Sequence, residues 1–471
     1  MSRYLRLTCV AAAAVGALAG TVRAESLADA ITLAYESNPT LQAERARQRA
    51  LDETYVQAEA GYGPSASLQG SVGQDRSNAP LIFRPPSETS RGAIQLTQPL
   101  YTGGRVSSQV SAAEAAVFAG REALRNTEQN VLQAVIRTYV DVRRDQESLA
   151  IARENLGLLR RQLEESQARF EVGEITRTDV AQTQARVAGA QSQVASAQAA
   201  LATSRAGYAA VVGQNPGDLA PEPAVAKFLP SNLDQAFDAA EHDNPTLRQA
   251  KFTERASAAR VAAAKAERRP TVSLQASLGY TGGAIGPGSP FRNYSRDITA
   301  TAVASFPLMT AGLTSSQIRQ AAQNDTADRI GIEIARRQAL LSVTQAWDQL
   351  LGARASLAAN EEEVTAANIA FEGTRQEAQV GLRNTLDVLI TEQELANAQQ
   401  AVVAARHDEY VAAISLLAAM GDLTPGDLVP DIGLYDPKTN FDHVRRVWPL
   451  PLTPWAPVVG AIDRLGAPAI P

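Results

Sequence analysis

Asn38-Pro39-Thr40-Leu41 recurs as Asn244-Pro245-Thr246-Leu247, 206 positions later, and this recurrence decides how the rest of the chain is read. The same offset carries Leu27 onto Leu233, Ala30 onto Ala236, Pro64 onto Pro270 and Ser67-Leu68-Gln69 onto Ser273-Leu274-Gln275. At an offset of 208, Pro99-Leu100 falls on Pro307-Leu308, Gly104 on Gly312, Ser107-Ser108-Gln109 on Ser315-Ser316-Gln317, Val172-Gly173 on Val380-Gly381, and Asp179-Val180 on Asp387-Val388. A period near 200 is too long for a solenoid, whose units run about 20 to 50 residues. The sequence therefore predicts an internal duplication, with a first structural repeat over residues 25–220 and a second over 221–428.

Each repeat reads in one order. A helical segment, Leu27 to Tyr62 and Leu233 to Arg268, is broken early by Asn-Pro, because proline removes a donor and restricts the residue before it. An alternating run follows. Val272, Leu274, Ala276, Leu278 and Tyr280 are apolar or aromatic, Ser273, Gln275 and Ser277 between them are polar, and Ala66, Leu68 and Val72 alternate in the same way with Ser65, Ser67, Gln69 and Ser71. Such strands have one greasy and one wet face. With second strands around residues 94–97 and 298–306, they predict β-hairpins at about 65–100 and 271–307, each arm near the ten residues that a tilted strand needs to cross a bilayer.

Long helices are predicted next, at about 104–171 and 312–379. Leu124, Val131, Val135, Val142, Leu149, Leu156, Leu159, Leu163 and Phe170 advance in steps of three, four or seven, the mark of a coiled-coil seam. Each rod ends at a glycine turn, Val172-Gly173 and Val380-Gly381-Leu382, and returning helices are predicted at about 177–213 and 385–420. In the first of these, Ala181, Ala185, Ala188, Ser192, Ala195, Ala199 and Ala202 form a stripe of small residues that reads as a second close-packing seam.

The bulk chemistry narrows the function. Arg3 and Arg6, an apolar stretch from Leu7 to Leu18 and Val22-Arg23-Ala24 read as a signal peptide over residues 1–24, with Glu25 as the mature start. The single cysteine, Cys9, lies inside it, so the mature chain has no thiol. No later run is apolar enough for a spanning helix, and any membrane crossing must use strands. A net charge of −6 argues against a nucleic-acid partner, and three scattered histidines leave no metal set. There is no nucleophile and base pairing and no phosphate loop, so neither an enzyme nor a cofactor is expected.

Four amphipathic strands cannot close a barrel, since the smallest transmembrane barrels have about eight, and unpaired edges are not tolerated in lipid. Several copies must pool their strands. Geometry alone leaves two, three or more protomers open.

The signal peptide, the duplicated order of elements, the Asn-Pro breaks and the Val-Gly tips followed six residues after glycine by Asp179 and Asp387 resemble the TolC family of outer-membrane channel proteins. The resemblance covers roughly residues 25–428. It implies a mainly α protein with a small transmembrane β part: a homotrimer whose twelve pooled strands form a barrel in outer-membrane lipid and whose helices form a coiled-coil tunnel through the periplasm. It implies further that Asp387, Arg383 and Asp179 belong to a periplasmic gate, with Arg383 in charged closing links and Asp179 as a partner on the neighbouring hairpin. Val172, Gly173, Val380, Gly381 and Leu382 would then meet a periplasmic adaptor protein, which links the channel to an inner-membrane ABC exporter or proton-driven pump. Ile390 and Ala378 depart from the family pattern, which has a second acid and a tyrosine at those places. The plainer reading of Asp179 and Asp387, from their position just after the glycine turns, is helix N-capping.

Beyond residue 428 the chain turns Pro-rich, at Pro430, Pro437, Pro449, Pro451, Pro454, Pro457, Pro468 and Pro471, and carries Tyr435, Trp448 and Trp455. This tail, 429–471, is expected to hold no long helix and either to wrap the tunnel at its belt or to stay disordered, its aromatics favouring partial docking. It resembles tails of type I secretion members. Type I protein secretion is therefore the expected service, with multidrug efflux as the alternative and a periplasmic adaptor as a weaker one.

Overall fold

The computed structural model describes residues 24–75, 78–79, 82–83, 87–283, 294–430, 432–447 and 456–465. Nearly all of the expected signal peptide, the centres of the two hairpin loops, Trp448 and Trp455 lie outside the described residues. The first half contains α1 (Leu27–Ser37), α2 (Pro39–Glu59), β1 (Ser65–Asp75), β2 (Asn78–Ala79), β3 (Ile82–Phe83), β4 (Ser87–Tyr101), α3 (Arg105–Glu171) and α4 (Arg177–Val212). The second contains α5 (Leu233–Asp243), α6 (Pro245–Ala266), β5 (Thr271–Gly283), β6 (Ser295–Ser305), α7 (Leu313–Gln379) and α8 (Thr385–Met420), and α9 (Pro425–Leu428), α10 (Pro437–Val447) and α11 (Ala456–Leu465) follow. Helices α3 and α7 have 67 residues each, about 100 Å at 1.5 Å per residue. Among the described residues no helix is long and apolar enough to cross a membrane.

Two compact units divide the chain, and both repeats contribute to each. One holds Met1–Gln42, Asn126–Asn244 and Ala339–Leu434; the other holds Ala43–Arg125, Pro245–Gln338 and Tyr435–Pro471.

In the first unit the repeated Asn-Pro motif has a repeated job. Asn38 ends α1 and its Nδ2 donates to the carbonyl of Val211 at 2.9 Å; Asn244 ends α5 and its Nδ2 donates to the carbonyl of Ala419 at 3.0 Å. Each amide satisfies a carbonyl in the last turn of a returning helix, which has no partner inside its own helix. The proline then starts the next helix, where its missing N–H costs nothing. Gly421, at φ 91°, closes α8 beside this junction, and a Cβ there would come within 2.4 Å of the Asp243 carbonyl oxygen.

The α3 seam is buried: Val135 and Val142 are fully enclosed, and Leu149, Leu156 and Leu159 nearly so. Phe170, at its far end, is exposed. The α4 seam differs from the one expected. Thr183, Val187, Ala190, Leu201, Tyr208 and Val212 are its buried positions, whereas Ala181, Ala185, Ala188, Ser192, Ala195, Ala199 and Ala202 face outward from the single chain. The larger side chains remove more apolar surface from water and take the internal face.

In the second unit the strands run in the order β1-β4-β5-β6, all antiparallel. Register sorts the side chains into faces. Leu68, Ile94, Leu278 and Ile298 form one row across the four strands and Ala66, Leu96, Ala276 and Ala300 the next but one, while Ser67, Gln95, Ser277 and Thr299 form the polar row between them. The apolar row is bare: Leu68 is 79% and Ile298 64% exposed. Among the described residues β1 and β6 each keep one unpaired edge.

Within the tail, α10 and α11 are short helices that pack in this second unit, α10 against α2 and α3 and α11 against α3 and β4. Proline does not prevent this, because Pro437 is the first residue of α10 and Pro457 lies in the first turn of α11. Phe441 meets Tyr55 edge-on at 5.2 Å, and Val459 is buried with Tyr62 and Val106.

Candidate functional site

The two tips in the first unit are built alike. Gly173 (φ 81°) donates to the Phe170 carbonyl and Glu174 to that of Arg169; Gly381 (φ 80°) donates to Ala378 and Leu382 to Glu377. Each pair is a Schellman motif, in which the residue after the helix must be left-handed, so glycine stands there. The turns hold Val172, Val380 and Leu382 out in water, at 73, 72 and 76% exposure.

Each returning helix is then capped. Thr176 is the N-cap of α4: the Asp179 N–H donates to its Oγ1, while its own N–H and hydroxyl donate to Asp179 Oδ2 at 2.9 and 2.8 Å. These bonds, the backbone one foremost, hold the Asp179 carboxyl below the usual carboxylate range. In α8 the cap is Asn384, whose Oδ1 accepts from the Asp387 N–H at 2.8 Å. Neither aspartate is itself the N-cap. Both sit three residues further on, and the Asp387 carboxylate, unlike that of Asp179, is left out of the cap.

Arg383 donates from Nε to Glu377 at 2.9 Å, a link within its own hairpin. Arg169, which stands at the repeat counterpart of Glu377, donates to Glu174 at 3.1 Å, so each tip is bridged with opposite polarity. Arg383 and Asp179 line one cavity of about 450 Å3 together with Arg161, Arg375 and Glu392. Glu377, six residues back, takes the guanidinium in preference to Asp387, four residues on, and among the described residues no ion pair joins Arg383 to Asp179. Ala378 also lines this cavity, and Ile390 is 40% exposed.

Sequence reasoning missed Glu392. It is 6% exposed, its Oε1 is buried without a partner, and burial raises its pKa to about 7 against the pull of Arg375 and Arg161. The available signal was its spacing: it follows the buried pair Val388 and Leu389 by four and three residues, on the face of α8 turned inward. Among the described residues no group of His, Cys, Asp and Glu could hold a metal ion.

Comparison with known proteins gives this geometry a family. The family model described as outer membrane efflux protein matches residues 30–214 and again 236–422. The chain is similar to the outer membrane efflux protein BepC of Brucella suis, at 35% identity over 93% of this chain and 95% of the relative. It is also similar to the alkaline protease secretion protein AprF of Pseudomonas aeruginosa, at 26% identity over 71% of this chain and 70% of the relative. The solved structure of CusC, described in terms of transmembrane channel formation, superposes with a TM-score of 0.74 at 19% identity, covering 84% of this chain and 92% of that one. The chain belongs to the outer membrane efflux protein family, the TolC family: trimeric channels of the outer membrane and periplasm, structural ducts rather than enzymes, which work with adaptor proteins and inner-membrane exporters or pumps.

Proposed function

We propose that three copies of this chain form the exit duct of a type I protein secretion system. The carrying observation is the sheet of two faces and two open edges, whose strands β4 and β6 lead through short connections into 67-residue helices. Three such sheets, placed edge to edge, put every apolar row toward lipid and every polar row toward a lumen, and no backbone donor is stranded in the membrane. Protein export rests on the likeness to AprF, a protease secretion protein, together with the Pro-rich tail. The higher identity to BepC, an efflux protein, favours small-molecule efflux as the second reading. Deleting the gene in its host and measuring both secreted protein and drug susceptibility separates the two. Loss of a secreted protein at unchanged susceptibility supports the first; hypersensitivity with normal secretion overturns it in favour of the second.

At the periplasmic mouth, Asp387 from three copies forms an acidic ring, and Arg383 takes part in the links that narrow it. The exposed Val172, Val380 and Leu382 give an adaptor its apolar footing at the tips. Support comes from their placement: the arginine stands in the tip turn, both aspartates stand in the first turn of the returning helices, and three large apolar side chains are held in water at the tips.

A further inference from the structure

Glu392 lies five residues after Asp387 on α8, where packing rather than solvation sets the helix face. Leu389, one turn before it on the same face, inserts among Leu156, Leu159, Val187 and Ala190 of α3 and α4. That contact joins the two hairpins of the unit and carries Glu392 into the cavity between them. Glu392 as a whole is more than nine-tenths buried and its Oε1 is buried with no partner, an arrangement that opposes ionisation. At the repeat counterpart stands Gln184, exposed and uncharged, so the acid belongs to one hairpin alone.

Most other charged groups of the cavity are already engaged. Arg169 is held by Glu174, Arg383 by Glu377, and Asp179 by Thr176. Arg375 on α7 and Arg161 on α3 are exposed and pull Glu392 toward ionisation, and Glu165 on α3 completes the set.

We propose that Glu392 is a proton-sensitive positioning residue of the periplasmic mouth: neutral, it lets the two hairpins pack; ionised, it drives them apart. The proposal rests on reading these tips as the gate. In the packed arrangement burial lifts its pKa from 4.5 to about 7, whereas in parted hairpins water and the two guanidiniums stabilise the carboxylate. Between those values the packed arrangement holds a proton that the parted one has released. Acid therefore favours packing, and rising pH shifts the balance toward parting by up to about tenfold per pH unit in each copy.

The test is planar-bilayer conductance of the full channel from about pH 5 to 8, with Glu392→Gln, Arg383→Ser and Asp387→Ala recorded beside the wild type. Wild-type conductance should rise with pH, and Glu392→Gln, neutral and of the same shape, should stay low and flat. A flat wild type, or a Glu392→Gln channel that keeps the slope, overturns the proposal. Should Arg383→Ser and Asp387→Ala be silent while Glu392→Gln still removes the slope, the gate reading fails and the hairpin switch survives. A second readout does not need the pore. With no other thiol in the mature chain, maleimide labelling of Val388→Cys, 6% exposed in the native packing, should accelerate with pH beyond the trend of Val172→Cys at the open tip. That excess should vanish when Glu392→Gln is added; an excess that persists there overturns the proposal even if the pore recordings fail.

Discussion

Asp463 Oδ1, near the end of α11, accepts a hydrogen bond from the backbone N–H of Thr102 at 2.8 Å. The same oxygen accepts from the Thr102 hydroxyl at 2.9 Å and the Gly104 N–H at 3.0 Å, and Oδ2 accepts from the Ser107 N–H at 3.4 Å. A carboxylate from the tail thus satisfies the turn that converts β4 into the first turn of α3, where backbone donors lack helical partners. At the repeat counterpart, Thr310-Ala311-Gly312, Ala311 takes the left-handed conformation at φ 47° and the turn is exposed.

Asp463→Ala should strand buried donors at that turn and lower stability by on the order of 3 kcal/mol. Asp463→Asn, which keeps Oδ1 as an acceptor, should lose less. Thermal unfolding of the purified channel measures both. Equal behaviour of Asp463→Ala and wild type means that the tail rests on the turn without holding it.

A pH-dependent staple joins α3 to α8. His407 places Nε2 at 2.8 Å from Asp141 Oδ1 and Nδ1 at 2.9 Å from Asp408 Oδ1, so both ring nitrogens must carry protons to donate. Burial pushes its pKa down, but the bonds to Asp141 and Asp408 outweigh that and leave it raised. A raised folded-state pKa gives stability that is fully present below the ordinary 6.5 and is lost as pH climbs through the folded value. Asp141, whose pKa is lowered, adds the opposite limit: its share is present above 3.8 and lost in acid below that. His407→Gln should cost about 1 to 3 kcal/mol near pH 6 and progressively less toward pH 9. A melting-temperature difference from wild type that does not change with pH contradicts the staple.

What the sequence disclosed follows from what a local pattern can encode. Period-two alternation marked the strand faces because register then aligns Leu68, Ile94, Leu278 and Ile298 with no further information. The tip glycines were legible because a Schellman turn demands them locally. The internal face of α4 was not, because Ala185 and Val187 both lie on helical stripes and the partner chosen by the fold decides which one is covered. Glu392 was hidden for a related reason: a glutamate amid Thr391, Gln393 and Glu394 looks like a solvated helix face until α3 is seen packed on it. The tail's prolines read as breakers, although at Pro437 and Pro457 they stand at helix starts.

The bare apolar rows predict which face meets lipid. Leu274→Arg, on the apolar side of β5, should impair assembly at about 2 to 4 kcal/mol if it lies near the midplane. Gln275→Arg, in the polar row with Thr97 and Thr301, should be tolerated. Folded trimer recovered from membranes is the measure, and equal yields for both variants reverse the assignment of faces.

The mouth gives the sharpest contrast. If three Asp387 carboxylates form a ring, Asp387→Ala should reduce cation selectivity and weaken block by multivalent cations, because the field of the ring is lost. The backbone cap survives this change, since Asp387 donates to Asn384 from its N–H and the side chain takes no part. Arg383→Ser removes the bond to Glu377 and any closing link, and conductance should rise while cation selectivity remains. Recording at low ionic strength keeps the ring's field from being screened, the Debye length being about 30 Å at 0.01 M against 10 Å at 0.1 M. Wild-type values of conductance, selectivity and block in both variants would reduce Arg383 and Asp387 to ornaments of the hairpin and place the narrowing elsewhere along the tunnel.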